Sequence, residues 1–368
     1  MDCKYFGICG SCTKNEPYEK QLVDKLTTIK NIFNEIYNDE IEIFSSLPSG
    51  YRIRSEFSIY HDESRANYAM NGKQTRFVLI DECPKVDEKI ANLMPKLLDI
   101  INQNENLRTK LFGAEFLTTK FQTQVVLLYH KDIFLIKDEL EMLSKTLNIS
   151  LIARSRKKKL SFNGENLKEE LIINGKKFLY IISEGAFLQP NKIVNQKMIS
   201  WAINCIEDGK DLLEMYCGHG NFTIPISFKF KKVLATEISK KSIANAIKNC
   251  ELNSTNNIHF VRLDANELIE AFNGREFKRL KDISLNEFNF SHLLVDPPRA
   301  GLSDEVCEFA AKFKNIVYIS CNPNTLKRDI LKLLKTHKIT KFAIFDQFAN
   351  TDHIECIVLM SRKYNEGV

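Results

Sequence analysis

The chain has 368 residues, of which 44% are hydrophobic and 27% are charged, and its net charge of +5 permits a nucleic-acid partner without requiring one. This is the composition of a soluble globular protein with room for two domains, and no apolar run approaches the roughly 18 residues of a membrane span. No signal-peptide pattern precedes Cys3, so we expect a cytoplasmic protein with no membrane partner, whose ten cysteines are thiols, ligands or catalysts rather than disulfides.

Three cysteines open the chain in the spacing C-x5-C-x2-C, at Cys3, Cys9 and Cys12. A tetrahedral metal or an iron–sulfur cluster needs a fourth ligand, and the only other cysteine in the first half is Cys83, in the turn-like DECPKV. We predict that these four residues hold a metal or a cluster. Free thiols near the chain terminus are the alternative.

The first half of the chain mixes helical and strand patterns, which predicts an α+β domain. Leucine and isoleucine recur at helical spacing over about 16–36, short alternating strands fill about 41–82, and a second helix is predicted over about 87–103. Because side chains alternate along a strand, Arg52, Arg54 and Glu56 are expected on one face. The arginines then either contact phosphates or form a solvated face.

Basic and aromatic residues recur later in the same half. The stretch LRTKLFGAEF, with Arg108, Lys110 and Phe112, leads into a predicted hairpin, and ARSRKKKL places five basic residues within 154–159. Phe112 is either a stacking partner for an unpaired base or part of the core. The basic run is either a phosphate contact or a solvated surface.

From residue 211 the pattern is strand, loop, helix, repeated, which predicts a doubly wound parallel α/β sheet. Five strands are expected in this unit, and the chain closes on two further strands that form a hairpin. The charged insert REFKRLKDISLNEFNF, before the fourth strand, is expected to lie on the surface.

The turn after the first of these strands, YCGHGNF, carries Gly218 and Gly220. A dinucleotide fingerprint requires a third glycine, and Thr223 occupies that position, so S-adenosylmethionine fits better than NAD. Glu237 ends the second strand, where an acid can accept both ribose hydroxyls. Asp264 ends the third strand and either meets an adenine edge or caps a helix.

Two further stretches suggest chemistry. Asp296 opens D-P-P-R after the fourth strand and is expected to face the gap between cofactor and substrate. Cys321, in ISCNPNTLKRD, follows a buried strand, and Pro323 suits the first turn of a helix, whose N-terminus can lower a thiol's pKa. A small buried cysteine is the alternative.

A thiolate and a base at these positions match the methylation of uracil. Carbon 5 of uracil is a poor nucleophile until a thiolate adds to carbon 6, and a base must afterwards remove the carbon-5 proton. Glu355, in DHIECIV, is a carboxylate within an apolar terminal strand and is the candidate base. The neighbouring His353 is interpreted as a structural turn residue.

At this point the chain resembles the RNA uracil-C5 methyltransferases in FLQPN, EMYCGHGNF, ATE, DPPRAGL, ISCNPNTL and the DHIEC ending. The resemblance implies a class I, Rossmann-like S-adenosylmethionine-dependent methyltransferase domain. It implies Cys321 as the nucleophile and Glu355 as the proton acceptor. The cofactor contacts that it implies are Gln189, Tyr216, Asn221, Glu237 and Asp296.

The first half resembles the tRNA and tmRNA branch of this family in YRIRSEFSIYHD, LFGAEFLTT and VVLLYHK. That implies methylation of the T-loop uridine at position 54 of tRNA, with tmRNA as a further substrate. The resemblance also implies an N-terminal RNA-binding domain over 1–185 and a catalytic domain over 186–368, and we expect a monomer. Arg52, Arg54, Phe112 and the 154–159 cluster are predicted to hold the opened loop.

One feature departs from this branch. Cys3, Cys9, Cys12 and Cys83 resemble the iron–sulfur site of the rRNA-directed branch, which favours [4Fe–4S] over zinc. The alternative functions are therefore a 23S rRNA uracil-C5 methyltransferase and a tRNA-folding or tRNA-binding protein whose methylation is dispensable.

Overall fold

The computed structural model describes residues 2–63 and 65–363, so the last five residues of the predicted catalytic domain lie outside the described part. The α-helices are α1 (Tyr18–Phe33), α2 (Glu88–Gln103), α3 (Glu105–Arg108), α4 (Lys137–Leu147), α5 (Lys192–Asn204), α6 (Thr223–Ile226), α7 (Lys240–Leu252), α8 (Ala265–Phe272), α9 (Asp304–Ala310) and α10 (Pro323–Leu333).

The first ten β-strands are β1 (Glu42–Phe44), β2 (Arg54–Asp62), β3 (Arg65–Met70), β4 (Val78–Ile80), β5 (Leu111–Thr118), β6 (Thr123–Tyr129), β7 (Ser150–Ser155), β8 (Lys158–Phe162), β9 (Asn166–Ile173) and β10 (Lys176–Ser183). The remaining strands are β11 (Asp211–Met215), β12 (Lys232–Thr236), β13 (Ile258–Val261), β14 (Phe290–Val295), β15 (Asn315–Ser320), β16 (His337–Phe345) and β17 (Glu355–Arg362).

The second half of the chain forms the predicted doubly wound sheet. Its strand order is β1-β16-β17-β15-β14-β11-β12-β13, and β11 to β15 are mutually parallel. These strands are nearly continuous apolar runs because helices cover both faces of the sheet. The order reverses between β11 and β14, and ligands of such sheets bind at the carboxyl ends of the strands beside that switch point.

The two terminal strands form the predicted hairpin and enter the sheet in an unusual place. β17 runs antiparallel to both of its neighbours and lies between β15 and β16. Its first residue, Glu355, pairs with Phe345, and the next, Cys356, pairs with Ser320 at the end of β15. The start of β17 therefore lies at the same edge of the sheet as the carboxyl ends of the parallel strands.

The first half builds a second sheet with the order β4-β3-β2-β5-β6-β7-β8. One face carries the apolar side chains, such as Phe57 and Phe116, which pack with α2 and α4 in a core of their own. The opposite face carries Arg54 and Glu56, whose side chains form an ion pair at 3.0 Å. Arg54 and Glu56 therefore share a strand face as predicted, whereas Arg52 precedes β2 and forms isolated bridges with Val86 and Asn191.

Some residues of the first half pack with the second sheet. β1 pairs in parallel with β16, and Ile29 and Phe33 of α1 lie in the core under the parallel strands. The β9–β10 hairpin contributes Leu171 and Tyr180 to the core on the other face. The division into domains 1–185 and 186–368 stays a prediction. In the structure, these residues before position 185 pack with the sheet of the second half.

No helix in the described ranges is long and apolar enough to cross a membrane. The charged insert before β14 contains only short 3-10 turns at Lys278–Leu280 and Leu285–Glu287, and none of its turn residues is fully buried.

A buried carboxylate ties the loop after β14 to the helix after β15. Asp329 of α10 is fully buried and accepts hydrogen bonds from the Leu302 backbone N–H at 2.8 Å and from the Tyr318 hydroxyl at 2.7 Å. Gly301 has a φ of +76° and a Cβ there would lie 2.5 Å from the Asp329 carboxylate, so the backbone of the loop passes directly against it. The D-P-P-R loop is thus held against the helix that follows Cys321.

Replacing Asp329 by alanine should lower the free energy of unfolding by about 2–4 kcal/mol, because it leaves buried donors without an acceptor. Urea unfolding of Asp329→Ala measures the change. The matched control is Asp304→Ala. Asp304 lies on α9 and forms an exposed ion pair with Lys332 of α10, so its removal should leave the unfolding midpoint unchanged. Equal midpoints for the two variants would contradict this account of the loop.

Candidate active site

A cavity of about 730 Å³ opens where the N-terminal sheet meets the carboxyl edge of the parallel sheet. Arg54 of β2 and Arg52, which precedes that strand, line it from the N-terminal half of the chain. The predicted catalytic and cofactor residues that line it are Gln189, Cys321 and Glu355, and Cys83 of the predicted metal site lines it as well. The fold therefore brings the predicted nucleophile, the predicted base and one predicted cofactor contact into a single cavity with the two arginines of the N-terminal half.

The turn after β15 fixes the backbone beside Cys321. Asn322 is the N-cap of α10 and accepts a hydrogen bond from the Asn324 N–H at 3.1 Å, while Pro323 occupies the first turn as predicted. The Asn322 amide and the Thr325 hydroxyl each donate to the carbonyl oxygen of Arg299 at 3.2 Å. These two hydrogen bonds therefore join the turn that carries Cys321 to the D-P-P-R loop.

The thiol of Cys321 is half-buried, and its pKa is raised rather than lowered. Burial is the largest cause, the negative charge of Glu355 adds to it, and the positive charge of Arg299 opposes it. The start of α10 therefore lies beside a thiol whose pKa is raised by burial, because desolvation disfavours the charged thiolate.

Two acids at this edge of the sheet, Glu355 at the start of β17 and Asp296 directly after β14, have environments that favour the neutral form. Burial raises the pKa of Glu355 well above its ordinary value, and the charge of Asp296 raises it further. Burial likewise raises the pKa of Asp296 to about 7. A carboxylate with a raised pKa is a stronger base than one in water, so Glu355 suits the removal of a proton from carbon.

Two further residues belong to the site: Arg299, to which the sequence analysis gave no role, and His353, which it interpreted as a structural turn residue. Both line the main cavity, and the Arg299 guanidinium lies 3.3 Å from Nδ1 of His353. Burial, followed by the charge of Arg299, lowers the pKa of His353. The positive charge of the arginine lowers the pKa of both Cys321 and Glu355, and its position after two prolines was the available signal in the sequence.

The glycine turn after β11 forms the other end of the site. Gly218 and Gly220 have φ values of +56° and +89°, and Tyr216 before them also has a positive φ of 64°. Glu237, after β12, accepts hydrogen bonds from the backbone N–H of Gly218 at 3.2 Å and of Ser239 at 2.8 Å. These bonds set the carboxylate at the carboxyl ends of β11 and β12, where the sequence predicted a ribose contact.

A small cavity of about 20 Å³ adjoins this turn and is lined by Gln189 and Asn221, two predicted cofactor contacts. The Asn221 amide exchanges hydrogen bonds of 2.9 Å with the amide of Asn195 on α5. Because Gln189 lines both this cavity and the main one, it stands between the predicted cofactor contacts and Cys321.

Asp264 has a structural role in this fold. It is the N-cap of α8 and accepts the backbone N–H of Glu267 at 2.8 Å, while the Glu267 carboxylate accepts the N–H of Asp264 at 3.1 Å. This reciprocal pair is a capping box. Of the two interpretations left open by the sequence, the helix cap is the one that the structure contains.

All four cysteines of the predicted metal site line one cavity of about 30 Å³. Their loop is anchored, because the Tyr5 hydroxyl bonds to Asp81 at 2.8 Å and the Gly10 N–H bonds to the Asn71 carbonyl at 2.8 Å. Within the described ranges, however, no three His, Cys, Asp or Glu side chains are arranged as ligands of a metal ion. The donors fit a cluster in number and chemistry, but the ligand geometry is not formed.

The residues predicted to hold RNA are partly engaged within the protein. Arg54 donates to the Ala186 carbonyl at 3.0 Å, and Arg154 of the 154–159 cluster pairs with the buried Glu184 at 2.8 Å. Phe112 is exposed and stacks on His130 with ring centroids 4.0 Å apart. Phe112 therefore belongs to the surface, as a base-stacking residue must, rather than to the core.

Comparison with known proteins identifies relatives over nearly the whole chain. The profile described as tRNA (Uracil-5-)-methyltransferase matches residues 17–363. A protein of Campylobacter concisus named tRNA/tmRNA (uracil-C(5))-methyltransferase is 56% identical, over 99% of this chain and 100% of its own length. A protein of Sulfurovum with the same name is 47% identical, again over 99% of this chain and 100% of its own length.

Among solved structures, the tRNA (uracil-54, C5)-methyltransferase of Pyrococcus abyssi in complex with S-adenosyl-L-homocysteine matches with a TM-score of 0.71. It covers 94% of this chain and 83% of that chain at 23% identity. This likeness shows the fold, and it confirms the Rossmann-like methyltransferase architecture predicted from the strand and helix order.

Replacing Arg299 by glutamine should slow the alkylation of Cys321 in the free protein. The guanidinium lowers the pKa of this thiol, so its removal reduces the thiolate fraction at pH 8, and we expect about a two- to tenfold slower reaction. Iodoacetamide labelling followed by peptide mass spectrometry gives the rate as a function of pH. Arg156→Gln, at the exposed turn between β7 and β8, is the control, and equal or faster labelling of Arg299→Gln would contradict the assigned charge effect.

Proposed function

Because the chain belongs to the tRNA (uracil-5-)-methyltransferase family, we propose that it transfers the methyl group of S-adenosylmethionine to carbon 5 of the T-loop uridine, at position 54 of tRNA. The relatives' names cover tmRNA as well, and we include it as a substrate. The observation that carries the proposal is the convergence of Cys321, Glu355 and Gln189 on one cavity that also contains arginines of the N-terminal half of the chain.

The proposed reaction begins at Cys321. Its thiolate sulfur attacks carbon 6 of the uracil, the carbon–sulfur bond forms, and the electrons of the 5,6 double bond move toward the carbonyl oxygen at carbon 4. The resulting enolate makes carbon 5 nucleophilic, so carbon 5 takes the methyl group as the sulfonium–methyl bond breaks and S-adenosylhomocysteine is left.

The second half of the reaction needs a base. The Glu355 carboxylate removes the proton from carbon 5, the electron pair re-forms the 5,6 double bond, and the bond between carbon 6 and sulfur breaks. Cys321 leaves as a thiolate, and Glu355 later releases its proton to solvent. Since both groups act in deprotonated form and both pKa values are raised, turnover should increase with pH above neutrality.

The cofactor would lie across the carboxyl ends of β11, β12 and β14. We propose that Glu237 receives the ribose hydroxyls, that Tyr216 and Asn221 flank the nucleoside and methionine portions, and that Gln189 and Asp296 lie nearest the sulfonium. The support is positional. Tyr216 and Asn221 follow β11, Glu237 follows β12 and Asp296 follows β14, at the carboxyl edge where such sheets bind ligands. Gln189 lies before α5 and lines the cavity that contains Cys321.

The opened T-loop would be held by the N-terminal sheet. Arg52 and Arg54 line the cavity that contains Cys321, and Phe112 presents an exposed ring that can stack on an unpaired base. A target base must leave its stack to reach the nucleophile, which costs a few kcal/mol and is least for loop nucleotides. We propose the basic run at 154–159 as a further phosphate contact, in which Arg156 and Lys157 form the turn between β7 and β8 while Arg154, Lys158 and Lys159 also pair with acids of the protein.

We propose further that Cys3, Cys9, Cys12 and Cys83 bind a [4Fe–4S] cluster. The support is that the four thiols line one cavity within a loop anchored to the N-terminal sheet. Burial raises the pKa of Cys12 and of Cys83 and the charge of Lys85 opposes it, so a bound cation would be needed to keep both as thiolates.

RNA containing 5-fluorouridine should stall on the protein as a covalent adduct, because fluorine at carbon 5 cannot be removed as a proton. A tRNA transcript and a large-subunit rRNA fragment, each with S-adenosylmethionine, are incubated with the protein, and mass spectrometry locates the cross-link. We expect Cys321 joined to the T-loop. Adducts with the rRNA fragment alone would refute the proposed tRNA substrate. The absence of any adduct, with protein that is folded and binds the cofactor, would refute the assignment of Cys321 as the nucleophile.

Two variants separate the steps in the same assay. Cys321→Ala should form no adduct with either RNA. Glu355→Gln should form the adduct with ordinary uridine and release it about 10²- to 10⁴-fold more slowly, because the general base is missing.

Protein purified without oxygen should contain about four irons and four sulfides per chain if the cluster forms. Cys12→Ser should lose them, whereas the control Cys205→Ser, a buried cysteine that packs beside α5, should keep them. One zinc and no sulfide would indicate a zinc site instead, and metal-free protein with four titratable thiols at these positions would refute the proposal.

A further inference from the structure

We propose that Lys25 and Asp346 are positioning residues for methylation, because their buried ion pair holds the segment that precedes Glu355. The segment is 346–354, between β16 and β17. This inference rests on the proposed function, since it assigns the pair a role in the proton removal carried out by Glu355.

The buried face of α1 has an unusual composition. Its buried residues are Gln21, Lys25, Ile29 and Phe33, which recur every four residues and therefore form one stripe. The last two are apolar, as expected for a helix that packs on a core, but the first two are polar. A lysine on such a stripe requires a partner, because an unpaired buried ammonium is strongly unfavourable.

The partner of Lys25 is Asp346, the residue directly after β16. The ammonium lies 2.7 Å from the carboxylate, and the two side chains are 2% and 0% exposed. Lys25 also donates to the Phe348 carbonyl at 3.1 Å, and the Tyr18 hydroxyl donates to the second oxygen of Asp346 at 2.7 Å. Residues of α1 therefore bind both the side chain of Asp346, which begins the segment, and the backbone carbonyl of Phe348 two residues later.

A second tie lies one turn earlier on the helix. Gln21 accepts a hydrogen bond from the Asn350 backbone N–H at 3.0 Å and donates to its side chain at 3.2 Å. Asn350 has a positive φ of 65°, so the chain turns sharply there. The backbone N–H groups of Thr13 and Lys14 donate to the Asn350 carbonyl at 3.0 and 3.1 Å. The segment is therefore tethered along its length by residues of the chain's N-terminal region.

The tethered segment leads directly into the active site. Phe348, Thr351 and His353 line the main cavity, and Glu355 follows as the first residue of β17. Glu355 pairs with Phe345, the residue immediately before Asp346. A shift of the segment would therefore displace the carboxylate relative to Cys321, and displacements of about 1 Å can cost about 10²-fold in rate.

Stability alone does not account for such a pair. Replacing a buried ion pair by neutral residues of similar volume is often neutral or stabilising, whereas removing one partner leaves an uncompensated charge. A double variant in which both residues are neutral can therefore keep the fold while it loses the ion pair that holds the segment. This separates a positioning role from a role in folding.

The test uses the full-length double variant Lys25→Met/Asp346→Asn and follows two steps. The adduct with 5-fluorouridine T-loop RNA should form at the wild-type rate, because that step needs Cys321 and the cofactor. With RNA that contains ordinary uridine, release of the methylated RNA from Cys321 should be about tenfold slower, because Glu355 is misplaced. The covalent protein–RNA species should therefore accumulate. Tyr18→Phe, which removes one hydroxyl from Asp346, should show a smaller change in the same direction.

The control is Lys20→Met, the same substitution at an exposed position of the same helix, which should leave both steps unchanged. Wild-type release without accumulation in the double variant would overturn the proposal, as would a parallel loss of adduct formation and release. If the double variant does not fold, the same two steps are measured for Tyr18→Phe. Slower release with normal adduct formation would support the proposal, and any other result would overturn it. Failure of the wild-type protein to form any adduct would instead refute the proposed function.

Discussion

The antiparallel insertion of β17 between β15 and β16 is the constraint on which the active site depends. A parallel strand ends at the carboxyl edge of the sheet, so only residues that follow it can reach that edge. An antiparallel strand begins there, and for this reason Glu355 at the start of β17 meets Cys321 after the end of β15. Nucleophile and base are 34 residues apart in the chain, and strand direction alone makes them neighbours.

The electrostatics of the site follow from the same geometry. Three acids at or near the carboxyl edge of the sheet have raised pKa values because burial disfavours their charged forms: Glu214 to about 8, Asp296 to about 7, and Glu355 well above its ordinary range. Arg299 is the cation that opposes this effect at Glu355. A cationic sulfonium near these acids would lower the cost of ionising them, so methyl-donor binding and activation of the base should support each other.

The N-terminal half of the chain contributes to this site in two ways. Arg54 of its sheet and Arg52, which precedes β2, line the cavity wall, whereas α1 and the residues after the cysteine loop hydrogen-bond to the segment before Glu355. Those residues are Thr13 and Lys14, whose backbone N–H groups donate to the Asn350 carbonyl. The part of the chain that would recognise RNA is therefore in direct contact with the part that would carry the base.

Local sequence determined much of this molecule. Apolar runs followed by glycine or proline turns located the strands of the parallel sheet. Helix α2 begins within one residue of its predicted start, and α10 has Pro323 in its first turn as predicted, because these signals act over a few residues. Motif residues likewise indicated Gln189, Cys321 and Glu355, which the fold brings to one cavity. The roles assigned to them stay predictions.

Only the tertiary structure decided the environment of those residues. The pKa of Cys321 is raised although a helix begins beside it, because burial and Glu355 come from elements distant in sequence. Asp264 is a helix cap, Arg299 contacts His353, and Lys25 finds its partner 321 residues away. Desolvation and long-range pairing depend on which elements pack together, and a local pattern does not contain that information. The sequence therefore identified the groups, and the packing set their charges, partners and positions.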